Sequence, residues 1–211
     1  MKPLLLVLIL TPALLMGADA PPAVYFQKFD TLTEGKPPEE ILILSGDYLI
    51  KADGANKYLE LAADPLDTQG FMAGPETFLT GTVTARIHAS STGKRTPEFG
   101  LGAGGPNGYK LWLMPATNEF QINKSEKTVA TVPYQWSTNT WTRLKFSTTK
   151  SPDGKFKIQG KVWPDGKEEP KDYQITYEAP EPPQPGRPTF WSTPYSGTPT
   201  KFDDLQATPA P

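Results

Sequence analysis

The chain of 211 residues contains no cysteine and only one histidine, His88. Without cysteine no disulfide can form, so the fold must be stabilised by packing alone. Structural zinc sites are built mainly from cysteine and histidine side chains, and a single histidine cannot form one. Disulfide-stabilised and zinc-stabilised domains are therefore excluded.

The sequence also lacks an excess of charge of either sign. Lysine and arginine together number 21, aspartate and glutamate number 23, and the formal net charge is −2. The basic residues are scattered along the chain and are not concentrated in one segment. Because nucleic-acid binding requires a basic surface that attracts phosphates, we expect no nucleic-acid partner.

No apolar run is long enough for a membrane-spanning helix, which needs roughly 20 residues. The longest run, residues 3–16, follows Lys2 and ends in Gly-Ala-Asp-Ala at positions 17–20. A basic start, an apolar middle and a small-x-small end are typical of a secretory signal. We predict a signal peptide over residues 1–20, with Ala18 as the alternative cleavage position. The mature chain is expected to be extracellular or periplasmic, without a transmembrane anchor.

The sequence has no convincing amphipathic helix, and its apolar residues alternate instead with period two. In the strand expected over residues 82–89, Val83 and Ile87 lie on one face, and Arg86 and His88 lie on the other. A Ser-Pro-Asp-Gly turn at 151–154 predicts a hairpin. Further strands are expected near 24–30, 41–51, 57–62, 98–103, 109–114, 119–124, 127–132, 141–146, 156–163, 172–178, 188–192 and 200–207.

These short strands with one polar face predict an all-β protein, a two-sheet antiparallel sandwich. After the signal peptide we expect a single domain over residues 21–207 and a frayed tail over 208–211. Gly100-x-Gly102-x-x-Gly105 matches a dinucleotide fingerprint, but it is followed by a turn and a strand where a phosphate site needs a helix. We expect a glycine-rich strand and hairpin there.

Three segments resemble parts of secreted concanavalin A-like jelly rolls. They are a hairpin over 47–61, the segment Trp-Thr-Arg-Leu at 141–144, and the closing segment 200–205. The same features occur in laminin-G-like, carbohydrate-binding and glycan-processing domains. The chain also looks somewhat like the domains named for hydrolysis of 3-keto-disaccharides, although it lacks their Asn-Ser-Gly-Ile strand. The resemblance covers nearly the whole mature chain and implies a jelly-roll fold.

The resemblance also implies one metal, a structural calcium. In related jelly rolls this ion is often bound where Asp203 and Asp204 lie opposite Asp30, because calcium takes carboxylate and carbonyl oxygens. Alternation along the strand places Asp204 on the same face as the apolar Phe202. The alternative is that the carboxylate caps backbone amides of a neighbouring turn. No other cofactor is expected.

Candidate catalytic residues are few. A glycosidase needs two carboxylates flanking one bond. Glu39-Glu40, Glu168-Glu169 and Asp203-Asp204 are adjacent pairs, whose members would point to opposite faces on a strand, and the first two pairs are expected in proline-rich loops. A polysaccharide lyase could use His88 as base and Arg86 to neutralise a substrate carboxylate. The alternative is that His88 simply faces solvent.

Aromatic residues provide the hypothesis of ligand binding. Sugars stack their C–H faces on aromatic rings, and the candidates are Trp112, Trp163, Trp191 and Tyr195, the last two in an expected loop. Exposure of two of these tryptophans on one surface would support stacking, whereas burial of all three would argue against it.

The sequence thus favours a secreted, non-catalytic carbohydrate-binding or cell-surface module with a polysaccharide or glycan partner. The first alternative is a hydrolase or lyase of the same fold, and the second is a structural extracellular domain that binds another protein. An aromatic platform would favour binding, clustered titratable groups in a groove would favour catalysis, and a flat apolar patch would favour a protein partner.

Overall fold

A computed structural model describes residues 24–210, so the predicted signal peptide lies outside the described residues. The described chain forms fifteen strands and no helix. The strands are β1 (Tyr25–Gln27), β2 (Leu42–Ser45), β3 (Tyr48–Asp53), β4 (Asn56–Leu61), β5 (Gln69–Met72), β6 (Gly81–Ala89), β7 (Glu98–Ala103), β8 (Tyr109–Met114), β9 (Glu119–Lys124), β10 (Lys127–Pro133), β11 (Thr140–Lys150), β12 (Phe156–Pro164), β13 (Ile175–Ala179), β14 (Thr189–Thr193) and β15 (Thr200–Pro209). Among these residues no helix is long and apolar enough to cross a membrane.

The strands form two antiparallel sheets. Sheet A has the order β13-β12-β11-β6-β15-β4-β3, and β1 pairs with β15 beside this path. Sheet B has the order β10-β9-β8-β7-β14-β5-β2. This arrangement confirms the predicted all-β antiparallel sandwich and is consistent with a jelly roll.

The core fills the space between the two sheets. Along β6 every second residue is buried, so Val83 and Ile87 face sheet B while Arg86 points outwards, as the alternation predicts. A cluster of aromatic rings joins the sheets: Phe71 of β5 stacks on Phe190 with ring centroids 5.0 Å apart and meets Phe202 of sheet A edge-on at 5.2 Å. Each such ring contributes about 1.5–3 kcal/mol when removed from water.

The structure corrects three strand predictions. The strand expected over 41–51 is two strands in different sheets, separated at Gly46, whose φ of 98° favours glycine. β5 was not predicted, because the sequence around Gly70 lacks a clear alternation. β15 continues to Pro209, which pairs with Gly81, so part of the tail that was expected to fray belongs to sheet A.

The glycine-rich stretch forms a strand and a turn, as predicted. Gly100 and Gly102 lie in β7, and the chain returns as β8 after the turn. A Cβ atom at Gly100 would lie only 1.9 Å from the carbonyl oxygen of Leu111 on β8. Glycine therefore permits close approach of the two strands at this position, and no phosphate cradle is formed.

Candidate functional site

The site residues predicted from sequence lie on opposite faces of the sandwich. Trp112 and Trp191 lie on the outer face of sheet B, and Trp191 belongs to β14 rather than to the expected loop. Tyr195 follows β14 and is 45% exposed. The outer face of sheet A carries Arg86, His88, Trp163, Asp203 and Asp204.

On sheet B the two tryptophans form a row with glycines. Trp191 pairs with Gly70 on one side and Gly100 on the other, and Gly100 pairs with Trp112. A Cβ atom at Gly70 would lie 2.4 Å from the Trp191 ring, so the indole packs directly on the backbone of β5. The glycines therefore leave room for both indoles to lie close to the sheet.

The three tryptophans are too buried to form the open stacking platform that sequence suggested. Trp112 and Trp163 are each 8% exposed and Trp191 is 7% exposed. Trp163 lies on sheet A, away from the other two. Burial of all three argues against recognition by open stacking on their ring faces.

A groove of about 230 Å³ lies beside Trp112 on the outer face of sheet B. We refer to it below as the groove. Its lining residues come from β7, β8, β9, the β9–β10 turn and the segment before β5. They are Thr68, Glu98, Lys110, Trp112, Asn123, Ser125 and Glu126. The turn is tight because Ser125 adopts a φ of 52°, which brings the side chains of the turn to the end of the groove.

The groove contains an acid and a cation whose pKa values are shifted by burial. The indole Nε1 of Trp112 donates a hydrogen bond to Oε2 of Glu98 at 3.3 Å. Burial raises the pKa of Glu98, and this hydrogen bond only partly opposes the rise. Burial also lowers the pKa of Lys110, whose Nζ lies 3.8 Å from the centroid of the Trp191 ring. Burial disfavours the charged form of each group, so it moves the pKa of the acid upwards and the pKa of the ammonium downwards.

Two buried polar atoms at this surface have no hydrogen-bond partner within residues 24–210. They are Oδ1 of Asn123, an acceptor in the groove lining, and Nε1 of Trp191, a donor. A buried polar atom without a partner costs roughly 1–3 kcal/mol. Both atoms are shielded from solvent, so a hydroxyl-rich ligand could reach the amide oxygen of Asn123 only if neighbouring side chains move.

The outer face of sheet A carries a cluster of five charged residues, which we call the charged cluster. Its members are Arg86, Arg143, Asp165, Asp203 and Asp204. Arg86 contacts Asp203 at 2.5 Å, and Arg143 contacts Asp165 at 2.5 Å and Asp204 at 2.9 Å. A depression of about 260 Å³ nearby includes Trp163, but its charged residues are already paired with one another or with the cluster. The charges of this depression are therefore paired within sheet A, although Nε of Arg86 forms no hydrogen bond within the described residues.

A β-bulge brings Asp203 and Asp204 to the same side, contrary to the alternation expected from sequence. The register with β6 shifts between Asp203 and Gln206, and Asp204 adopts a φ of 49°. Both carboxylates therefore face the arginines, and Asp204 does not share the inward direction of Phe202. Burial raises the pKa of Asp203 to about 6, although Arg86 and the backbone N–H of Asp204 act in the opposite direction.

The three aspartates proposed for calcium do not form a site. Oδ1 of Asp30 accepts the backbone N–H of Lys57 at 3.1 Å, while Asp203 and Asp204 are engaged by arginines. In the part of the chain that the structure describes, no three acidic or histidine residues are grouped to hold a metal. Guanidinium groups occupy the oxygens that a cation would need, so these residues do not fit calcium. The alternative, that the Asp204 carboxylate caps backbone amides of a turn, is not observed either, because its Oδ2 accepts from Arg143.

His88 and Arg86 share a face, as predicted, but they are not arranged as a base and a substrate anchor. The guanidinium of Arg86 lies 4.6 Å from the centroid of Trp141 and is paired with Asp203. The ring centroid of His88 lies 5.5 Å from that of Trp141. Because Arg86 is already neutralised, it offers little to a substrate carboxylate.

The residues that sequence reasoning missed are Glu98, Lys110 and Asn123. Each lies on the polar face of its strand, and the hairpin turns fix which of them are neighbours. The alternation could have identified their faces. It could not show that β7, β8 and β9 are adjacent to the segment that carries Thr68.

No family model and no curated protein matches the chain. Several solved structures have a similar fold. The carbohydrate binding module CBM66 from Bacillus subtilis is 11% identical, with 80% of this chain and 95% of that chain covered and a TM-score of 0.56. The Crh5 transglycosylase in its apo form is 12% identical, with 89% of this chain and 85% of that chain covered and a TM-score of 0.59. A Bacillus subtilis protein of unknown function with a galectin-like fold is 12% identical, with 88% and 98% covered and a TM-score of 0.57. At these identities the likeness shows the fold alone, a galectin-like or concanavalin A-like sandwich.

Proposed function

We propose that this protein is a secreted, non-catalytic glycan-binding module that holds its ligand in the groove on sheet B. The observation that carries the proposal is the polar lining of the groove, where Oδ1 of Asn123 has no partner within the described residues. Glycans supply the hydroxyl donors that such an acceptor needs. Two structures of the same fold are named as a carbohydrate binding module and a transglycosylase, and the latter is also known in complex with NAG.

The same proposal includes the localisation of the protein and its domain boundaries. The leader over residues 1–20 supports export to the outside of the cell or to the periplasm. We propose residues 21–207 as one domain, of which residues 24–207 lie in the two sheets and their connections.

A glycan-cleaving enzyme is the second candidate, because two carboxyl groups line the same groove. Glu98 and Glu126 both belong to the lining, and burial raises the pKa of Glu98. A carboxyl group with a raised pKa can serve as the general acid of a glycosidase, with a second carboxylate as its partner. The resemblance of the sequence to domains named for hydrolysis of 3-keto-disaccharides supports this second candidate function.

Affinity electrophoresis through gels that contain neutral or acidic polysaccharides tests the binding proposal. We expect one polymer to retard the protein. Asn123→Ala should weaken binding about tenfold, since one hydrogen bond in the groove is lost. Gln159→Ala, on the outer face of sheet A, is the matched control and should migrate like the wild type. Migration unaffected by every polysaccharide would contradict glycan binding and turn attention to a protein partner.

Product analysis on the retarding polymer separates the two candidates. A binding module releases no product. An enzyme releases product that Glu98→Gln abolishes while retardation remains, because glutamine keeps the shape of the side chain but cannot supply the acid proton.

A further inference from the structure

The two sheets separate at one edge of the sandwich, where β10 of sheet B lies beside β13 of sheet A. Both are terminal strands of their sheets. After β13 the chain continues as segment 180–185, with the sequence PEPPQP. Proline has no backbone N–H, so this segment cannot extend a β-ladder and covers the edge without closing it. A crevice of about 390 Å³ remains beneath the segment, and we call it the edge crevice.

The walls of the edge crevice are apolar and aromatic. Tyr109 and Val129 come from sheet B and Tyr177 from sheet A. The ring centroids of the two tyrosines lie 6.0 Å apart at an angle of 47°. The covering segment is held at its end, because the N–H of Gly186 donates to the carbonyl of Phe78 at 3.0 Å. The segment that covers the crevice is therefore anchored where it ends.

Charge at the mouth of the crevice is positive on balance. Lys124 and Lys127 line it together with a single acid, Glu181. Nζ of Lys124 donates to the carbonyl of Asn107 at 2.8 Å and lies 5.0 Å from the Tyr109 ring centroid. Neither lysine forms a salt bridge with any carboxylate of residues 24–210. Two ammonium groups beside aromatic walls thus lack an anionic partner within the described chain.

We propose that the edge crevice binds a sugar acid, with its ring against the half-buried Tyr177 and Val129 and its carboxylate towards Lys124 and Lys127. Aromatic faces accept the C–H faces of a pyranose ring, and ammonium groups attract a carboxylate. The volume falls within the range of about 300–1,000 Å³ that is usual for small-molecule sites. Its residues are distinct from those of the groove, so this site does not depend on the proposed function.

Titration of isotope-labelled protein with D-glucuronate, followed by NMR, tests this assignment. Glucuronate should shift the resonances of Tyr109, Val129 and Tyr177, and glucose should shift them much less. Lys127→Glu should weaken glucuronate binding about two- to fivefold, the factor expected from loss of one exposed charge contact. The control Lys51→Glu reverses an exposed charge on β3, at the opposite end of sheet A, and should leave the affinity unchanged.

Other outcomes would overturn the assignment. These are equal shifts with glucose, equal weakening by the two charge reversals, or no shift with glucuronate at tens of millimolar. A second titration uses benzoate. If benzoate shifts these resonances and glucuronate does not, the ligand class of the edge crevice is an aromatic acid and the sugar acid is excluded. Resonances of Asn123 and Trp112 report on the groove in the same spectra, so failure of the edge crevice and failure of glycan binding in the groove are seen separately.

Discussion

The surroundings of His88 predict how the stability of the folded protein depends on pH. It lies on the outer face of sheet A, paired in the ladders with Trp141 on β11 and with Lys201 on β15. Burial and then the ammonium of Lys201 lower the pKa of His88 below its ordinary value of 6.5. The folded protein therefore binds a proton at His88 less readily than the unfolded chain does.

The stabilisation by neutral His88 should be complete above pH 6.5 and should be lost as the pH falls through the lower pKa of the folded state. We expect the free energy of unfolding of the wild type, relative to His88→Gln, to decrease on acidification from pH 7 to pH 5. Urea denaturation of both proteins at several pH values measures this difference. A difference that stays constant or increases towards pH 5 would show that the pKa of His88 is not lowered.

Among the strands, β7 shows how backbone spacing sets the shape of the binding surface. Gly100 sits between Trp191 and Trp112 in one row, and its Cβ position is occupied by the backbone of β8. A side chain there would push the two strands apart and also displace the indole of Trp112, which lies 3.0 Å from the same point. The geometry of the groove thus depends on a residue that does not line it.

Gly100→Ala should lower the free energy of unfolding by about 2–3 kcal/mol, the upper part of the range for overpacked sites. The control is Gly93→Ala, where a Cβ meets nothing within 4 Å and only the φ of 61° costs about 1 kcal/mol. Urea denaturation compares the two variants, and tryptophan fluorescence reports whether the indoles move. Equal destabilisation by both variants would mean that β7 and β8 can separate at little cost.

The sequence predicted the faces of individual strands, but it did not predict which strands are adjacent in the sheets. Alternation predicted the buried and exposed faces of β6, β11 and β12 correctly, because a side chain's face depends only on its place in its own strand. The bulge at Asp203 and Asp204 broke this rule, since an extra residue changes the face without changing the composition. The groove needs Thr68 and Glu98 to meet across strands far apart in the chain, and no local pattern specifies that pairing.

For the molecule as a whole, the strands at the two ends of each sheet path differ in how they are protected. β3, β10 and β13 carry Lys51, Lys127 and Glu178, charges that discourage pairing with another sheet. β2 carries none, and its Leu42, Ile43 and Leu44 are each exposed by 38–39%. Of the four strands at the ends of the two sheet paths, β2 is the one without a charge, and its three exposed side chains form an apolar patch.

Ile43→Lys should reduce self-association of the protein at high concentration, because a lysine on a terminal strand disfavours edge-to-edge pairing. Light scattering as a function of concentration measures the effect. Leu49→Lys on β3, an exposed leucine on a strand that already has a charge, is the control and should change self-association less. If both substitutions act equally, general surface hydrophobicity rather than the β2 edge is responsible.

The position of β15 has a consequence for the order in which the chain can fold. β15 is the last strand of the described residues, yet it lies inside sheet A between β6 and β4 and also supplies the partner of β1. In the charged cluster, Asp165 can pair with Arg86 and Arg143 earlier, but Asp203 and Asp204 join them only with β15. Sheet A therefore cannot close around a growing polypeptide until residues 200–209 have been made. We therefore expect pairing in sheet A to be completed only after this strand has been synthesised, because its contacts join residues far apart in the chain.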